Sequence, residues 1–155
     1  MGEPQSAGLN MSYYSLIFTV PKNTAEETPV EQKLLVHPGI LHQVSVLIPP
    51  GHAGLTGVAI DAGLHQIAPS SQNTWFMGDD SLFSYPEWIE ITQGLAEIGI
   101  RGFNVDDTYN HSFVIGVGVL PESALNAAIQ IGDALNPLSA GISQIAKFFS
   151  PPRGA

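Results

Sequence analysis

The chain of 155 residues contains no cysteine, which excludes a disulfide framework, a thiolate metal site and a cysteine nucleophile. Five Lys and Arg stand against fourteen Asp and Glu, a net charge of −9, so the basic footprint that binds phosphates is missing and no nucleic-acid partner is expected. Charged residues make up 12% of the chain, about half the ~25% usual in soluble domains; such a chain either displays uncharged polar surface or buries surface against other subunits.

Residues 1–6 lack a basic region leading into an apolar core, so no secretory signal is read. Residues 1–11 are expected to form a flexible N-terminal arm. From residue 12 to 120 the apolar period is two. Tyr14, Leu16, Phe18 and Val20 share one face of a first strand that Pro21 closes. Runs at 30–36 and 40–48 follow, the latter with Ile40, Val44, Val46 and Ile48 alternating against Leu41, Gln43, Ser45 and Leu47. Pro38-Gly39 and Pro49-Pro50-Gly51 punctuate them. Residues 55–61 and 64–68 read as a hairpin about Ala62-Gly63, and 75–77, 88–92, 96–105 and 112–120 complete the series. Short strands at this spacing predict an all-β, antiparallel, eight-stranded jelly-roll sandwich as a single domain over 12–120. Its core is expected to include Phe18, Val44, Val46, Ile60, Ile91, Ile98, Ile100, Val117 and Val119.

Beyond Pro121 the period changes. Ala124, Ala128, Ile131, Leu135, Leu138, Ile142, Ile145 and Phe149 repeat at 4-3-4-3-4-3-4, a heptad-like seam that predicts a helical C-terminal extension over 121–155. Asn136-Pro137 suits an N-cap followed by proline at the first helical position, so two helices or one kinked helix are expected. The stretch is too often interrupted by polar residues to span a membrane. Its large seam residues, Ile131, Leu135, Leu138, Ile142, Ile145 and Phe149, are the candidate partner interface. With Lys147 and Arg153 as the sole basic residues after Arg101, membrane contact is disfavoured against a neighbouring subunit or the chain's own sandwich.

Chemistry is sparse. His37 and His42 flank a Pro-Gly turn five residues apart, which matches neither HExxH nor the histidine pattern of metal-binding cupins. His65 reads as a strand histidine satisfied by a carbonyl. Asp79-Asp80 and Asp106-Asp107 read as turn residues bonding the backbone two residues on, with a hard cation as the alternative. No Gly-x-Ser-x-Gly elbow occurs, and the glycine run at 51–57 lacks the Lys-Ser/Thr ending of a phosphate loop. No catalytic residue, metal or cofactor is expected. The aromatics Trp75, Phe76, Phe83, Tyr85 and Trp88 cluster mid-chain as a core plug or interface anchor; Trp75, Tyr85 and Trp88 also suggest the alternative of a carbohydrate-binding, lectin-like module.

The segments Ile48-Pro49-Pro50-Gly51-His52-Ala53-Gly54-Leu55, His65-Gln66-Ile67, Trp75-Phe76-Met77-Gly78-Asp79-Asp80 and Gly102-Phe103-Asn104-Val105-Asp106-Asp107-Thr108-Tyr109 together resemble the small single jelly-roll virion proteins of tailless, membrane-containing icosahedral phages and related archaeal viruses. The likeness covers residues 12–120 through turn motifs and leaves the helical tail unmatched. It implies a virion-located capsid building block without an active site, assembling with itself and with a second jelly-roll capsid protein over an internal membrane.

Overall fold

The computed structural model describes residues 11–92, 96–124, 126–127, 129–133 and 135. Eight strands follow in order: β1 (Ser12–Val20), β2 (Val30–Leu35), β3 (Gly39–Ile48), β4 (Thr56–Ala62), β5 (His65–Ala68), β6 (Ser81–Ile91), β7 (Glu97–Asn104) and β8 (His111–Leu120). They pair as if one long hairpin had been rolled up: β1 with β8, β2 with β7, β3 with β6 and β4 with β5, all antiparallel. Two further ladders, β3 with β8 and β4 with β7, close the sheets. The result is two four-stranded sheets, β1-β8-β3-β6 and β2-β7-β4-β5, an all-β sandwich with the eight-stranded jelly-roll order.

The inward residues alternate along each strand and meet in one core. Phe18, Val44, Val46, Ile60, Ile91, Ile98, Ile100, Val117 and Val119 are all buried, as the alternation predicts. Strand β4 is buried along its whole length, so both of its faces are covered. Leu41 departs from the expected alternation. The pairing of β3 shifts between Leu41 and Gln43 against both neighbours, and this bulge turns Leu41 into the core cluster. The short run at 75–77 is not a strand: Phe76 forms an isolated bridge with Val58. Conversely β6 begins at Ser81, well before the expected 88, because exposed Ser84, Tyr85 and Pro86 along this edge conceal the period.

Every connection except the β4–β5 turn crosses between the sheets, so four of them, residues 21–29, 49–55, 69–80 and 105–110, gather at one end of the sandwich. The chain divides into two compact units, Met1–Pro121 and Glu122–Ala155. In the second, the described residues between 122 and 135 are helical, and Ile131 and Leu135 are exposed. Leu138, Ile142, Ile145 and Phe149, the expected break at Pro137 and residues 1–10 of the expected arm over 1–11 lie outside the described residues. No helix among the described residues is long and apolar enough to cross a membrane.

Candidate functional site

Polar chemistry collects first at the loop end. Four crossings in close array leave backbone groups that ladders cannot satisfy, and side chains complete them. Asn104 is fully buried at the end of β7; its amide donates to the carbonyls of Val20 (3.2 Å) and Tyr109 (2.9 Å), and its carbonyl accepts the Asp106 amide. Asp106 accepts the amides of Thr108 (2.7 Å) and Tyr109 (3.1 Å), the expected turn. Asp107 bonds only the Thr108 hydroxyl, so Asp106, not Asp107, holds the turn backbone. Asp79 does not brace its own turn either. It reaches across to accept the amides of Gly51 (2.7 Å) and Ala53 (3.1 Å), where Ala53 is held in the left-handed region at φ 48°.

Further bonds link the crossings in a ring. Asn23 donates to the Asp106 carbonyl, Val105 to the Leu55 carbonyl, and the Trp75 indole to Glu26 at 2.8 Å. Inside it lie two histidines that the linear pattern did not single out. His52 is buried on the β3–β4 connection, with Nδ1 2.6 Å from Thr56 Oγ1 and Nε2 3.2 Å from the Ser112 carbonyl. The carbonyl can only accept, so Nε2 carries the proton and Nδ1 accepts from Thr56. His111 is buried at the start of β8, with Nε2 2.9 Å from Asp106 Oδ2.

Burial first, and His111 second, push His52 below the ordinary imidazole value. The His111 hydrogen bond, then the Thr108 amide, hold the Asp106 carboxyl low, and the Ala53 amide leads the same effect on Asp79. Among the described residues no group of three or more His, Asp or Glu is placed to hold a metal ion, and every buried side-chain nitrogen or oxygen has a hydrogen-bond partner. The loop end is an internally satisfied lock.

A second polar cluster lies on the outer face of the β2-β7-β4-β5 sheet. Arg101 of β7 donates to both oxygens of Asp61 on β4, at 2.5 and 2.9 Å, and to Gln66 at 3.2 Å. The Gln66 amide in turn donates to the carbonyls of Pro69, Ser71 and Thr74. The guanidinium stands 5.4 Å over the Trp75 ring, whose other neighbour is Phe103. Together with Glu31 and the Lys33–Glu97 pair (2.6 Å), Asp61, Gln66 and Arg101 line an open cleft of about 620 Å³. Its cations are already matched to carboxylates.

The opposite outer face, on β1-β8-β3-β6, is built differently. It presents Tyr13, Ser15, Ile17 and Thr19 of β1, Ser112, Val114, Gly116 and Gly118 of β8, Gln43, Ser45 and Leu47 of β3, and Leu82, Ser84 and Trp88 of β6. Ile17 and Leu82 are each 68% exposed and Trp88 63%. Apart from His42, which covers Gly118, Glu90 is the sole acidic or basic residue among the described residues of this face. Tyr13 lies across β8 to bond Ser45 at 2.6 Å, which is possible because a Cβ at Gly116 would collide with the phenol.

The remaining sequence candidates disperse. His37 bonds Ser12 and the Pro38 carbonyl and packs edge-on to Tyr14, while His42 covers Gly118 on the outer face. His65 is exposed at the start of β5 instead of sitting within a strand against a carbonyl. Of the expected aromatic cluster, Phe76 stacks on Tyr85 and lies tilted against Phe83; Trp75 pairs instead with Phe103 and Trp88 stands apart, so Trp75, Tyr85 and Trp88 form no common platform. The Asp61–Arg101 pair did leave a sequence signal, a carboxylate and a guanidinium each set within an otherwise uncharged strand interior. The His52–His111 approach left none, since the two lie 59 positions apart in the chain. No protein-family model matches the chain, and no curated protein matches it.

Proposed function

We propose that the chain is a structural protein of a virion, a non-enzymatic capsid building block that assembles through contacts with copies of itself and with a second jelly-roll protein. The observation that carries this reading is the contrast between the two outer faces. One holds paired charges around a polar cleft; the other is almost free of charge and exposes Tyr13, Ile17, Leu82 and Trp88. A chain of net charge −9 repels its own copies wherever charge meets charge, so association is favoured across the uncharged face. The loop-end lock further supports a scaffold role, because among the described residues its buried side-chain nitrogens and oxygens are all spent on holding the crossings together. Carbohydrate binding by Trp75, Tyr85 and Trp88 has less support: Trp75 is occupied by Arg101 and Phe103, and Tyr85 borders a separate hollow of about 230 Å³ with Phe76 and Glu87. Light scattering coupled to size exclusion, with electron microscopy of the eluted species, tests the reading. Defined oligomers or shells are expected; a monomer at all concentrations that binds an immobilised glycan overturns it.

A further inference from the structure

The two sheets have four edge strands, and three of them carry devices that prevent another strand from adding on. Strand β2 alternates Glu31 and Lys33 along its six residues. Strand β5 is four residues long and opposite a register shift. Strand β6 holds Pro86 at its centre, Glu87 and Glu90 beyond it, and an irregular pairing with β3. Strand β1 has none of these. Its nine residues, Ser12–Val20, contain no charge and no proline, and they pair with β8 in unbroken register. Among the described residues no strand pairs with its other side.

We propose that the free edge of β1 pairs antiparallel with the β1 edge of a second copy, about a twofold axis at Leu16, merging the two β1-β8-β3-β6 sheets into one. This deepens the building-block reading and rests on it. Self-pairing about Leu16 sets Tyr13 against Thr19 and Ser15 against Ile17 on the outer face, and Tyr14 against Phe18 on the inner, so each side chain keeps its face. The contact brings no charge opposite a like charge, which matters for two chains that each carry −9. A twofold contact also closes on itself, giving a dimer and not an open fibre.

Because the chain has no cysteine, introduced thiols report cleanly. Opposed Cα atoms in an antiparallel pair lie about 4.5–5.5 Å apart, within disulfide reach. The Ser15→Cys/Ile17→Cys variant should oxidise to a covalent dimer, and a Leu64→Cys control in the exposed β4–β5 turn of the other sheet should not. Amide hydrogen exchange of the unmodified protein should show both sets of β1 amides protected, those facing β8 and those facing outward. Ile17→Lys, at a position already exposed to water, should weaken the dimer on the order of a hundredfold by setting lysine near its symmetry mate, and should release the outward set alone. Three results overturn the proposal. A monomer with both sets protected would mean that the chain's own residues cover the edge. An assembly whose outward amides exchange freely and whose thiols do not link would remove this edge while leaving the building-block reading intact. Failure to associate under any condition would remove both.

Discussion

The ring centres of His52 and His111 stand 4.5 Å apart, yet a carboxylate serves only one of them: His111 faces Asp106, while His52 faces a hydroxyl and a carbonyl. His52 is therefore buried in a form that acid disfavours. Its folded-state pKa lies below the ordinary 6.5, so between that lowered value and 6.5 the unfolded chain binds more protons. Stability is complete above this window and falls as the pH drops through it. Asp79 and Asp106 act lower down. Their folded values lie below the ordinary 3.8, so their contribution is present above 3.8 and is lost as pH falls through the depressed values. The melting temperature should be level from about pH 8 to 7, then decline in two phases. His52→Gln should remove the upper phase and leave the lower; a wild-type plateau extending to pH 5 contradicts this account.

Arg101 is the hinge of the second cluster, and its guanidinium does three things a lysine cannot do together. It grips both oxygens of Asp61, reaches Gln66 and lies over Trp75. Arg101→Ala should cost about 2 kcal/mol in chemical denaturation, less than a fully buried pair loses because the guanidinium is partly exposed. Arg101→Lys should recover under half of that. A double-mutant cycle with Asp61→Asn should give a coupling of roughly 1 kcal/mol or more; additive losses would show that the contact contributes nothing of its own.

Much of this fold is written in the period of the sequence, because a sheet with one buried face must alternate, and residues from Phe18 to Val119 do so into a common core. What the period hides has physical causes. A bulge such as that between Leu41 and Gln43 adds one residue without altering composition, yet it reverses which side faces inward. An edge strand like β6, wet along most of its length, has no apolar alternation to read. Contacts such as His52–His111 depend on which crossings meet at one end, and that follows from topology. Asp61 and Arg101 are charges within otherwise uncharged strand interiors, a signal passed over in the sequence, and their partnership required the pairing of β4 with β7.

The outer face supplies a steric test. Tyr13 crosses β8 over Gly116 to reach Ser45, and a Cβ at 116 would stand 2.5 Å from the Ser45 hydroxyl as well as against the phenol. Gly116→Ala should therefore push the exposed Tyr13 ring off β8 and break its bond to Ser45, at a cost of about 1 kcal/mol. In a Tyr13→Ser background the same substitution should cost much less, because the obstructing ring is gone. Equal penalties in both backgrounds would mean that the strain lies in the β8 backbone.

The helical unit offers the broadest test, because among the described residues every strand pair and every residue of the core cluster lies before Pro121. A chain ended at Pro121 should fold, with β-rich circular dichroism and a melting temperature close to that of the full chain. Assembly is a different matter. Ile131 and Leu135 are exposed, and each large seam residue would contribute roughly 1.5–3 kcal/mol if buried against a partner. If it docks on a neighbour, truncation should abolish higher assembly while sparing any dimer made through β1, since that strand is untouched. Mass photometry of the full and shortened chains separates these levels. A shortened chain that assembles normally shows that the seam is not an intersubunit contact; one that cannot fold shows that the sandwich depends on it.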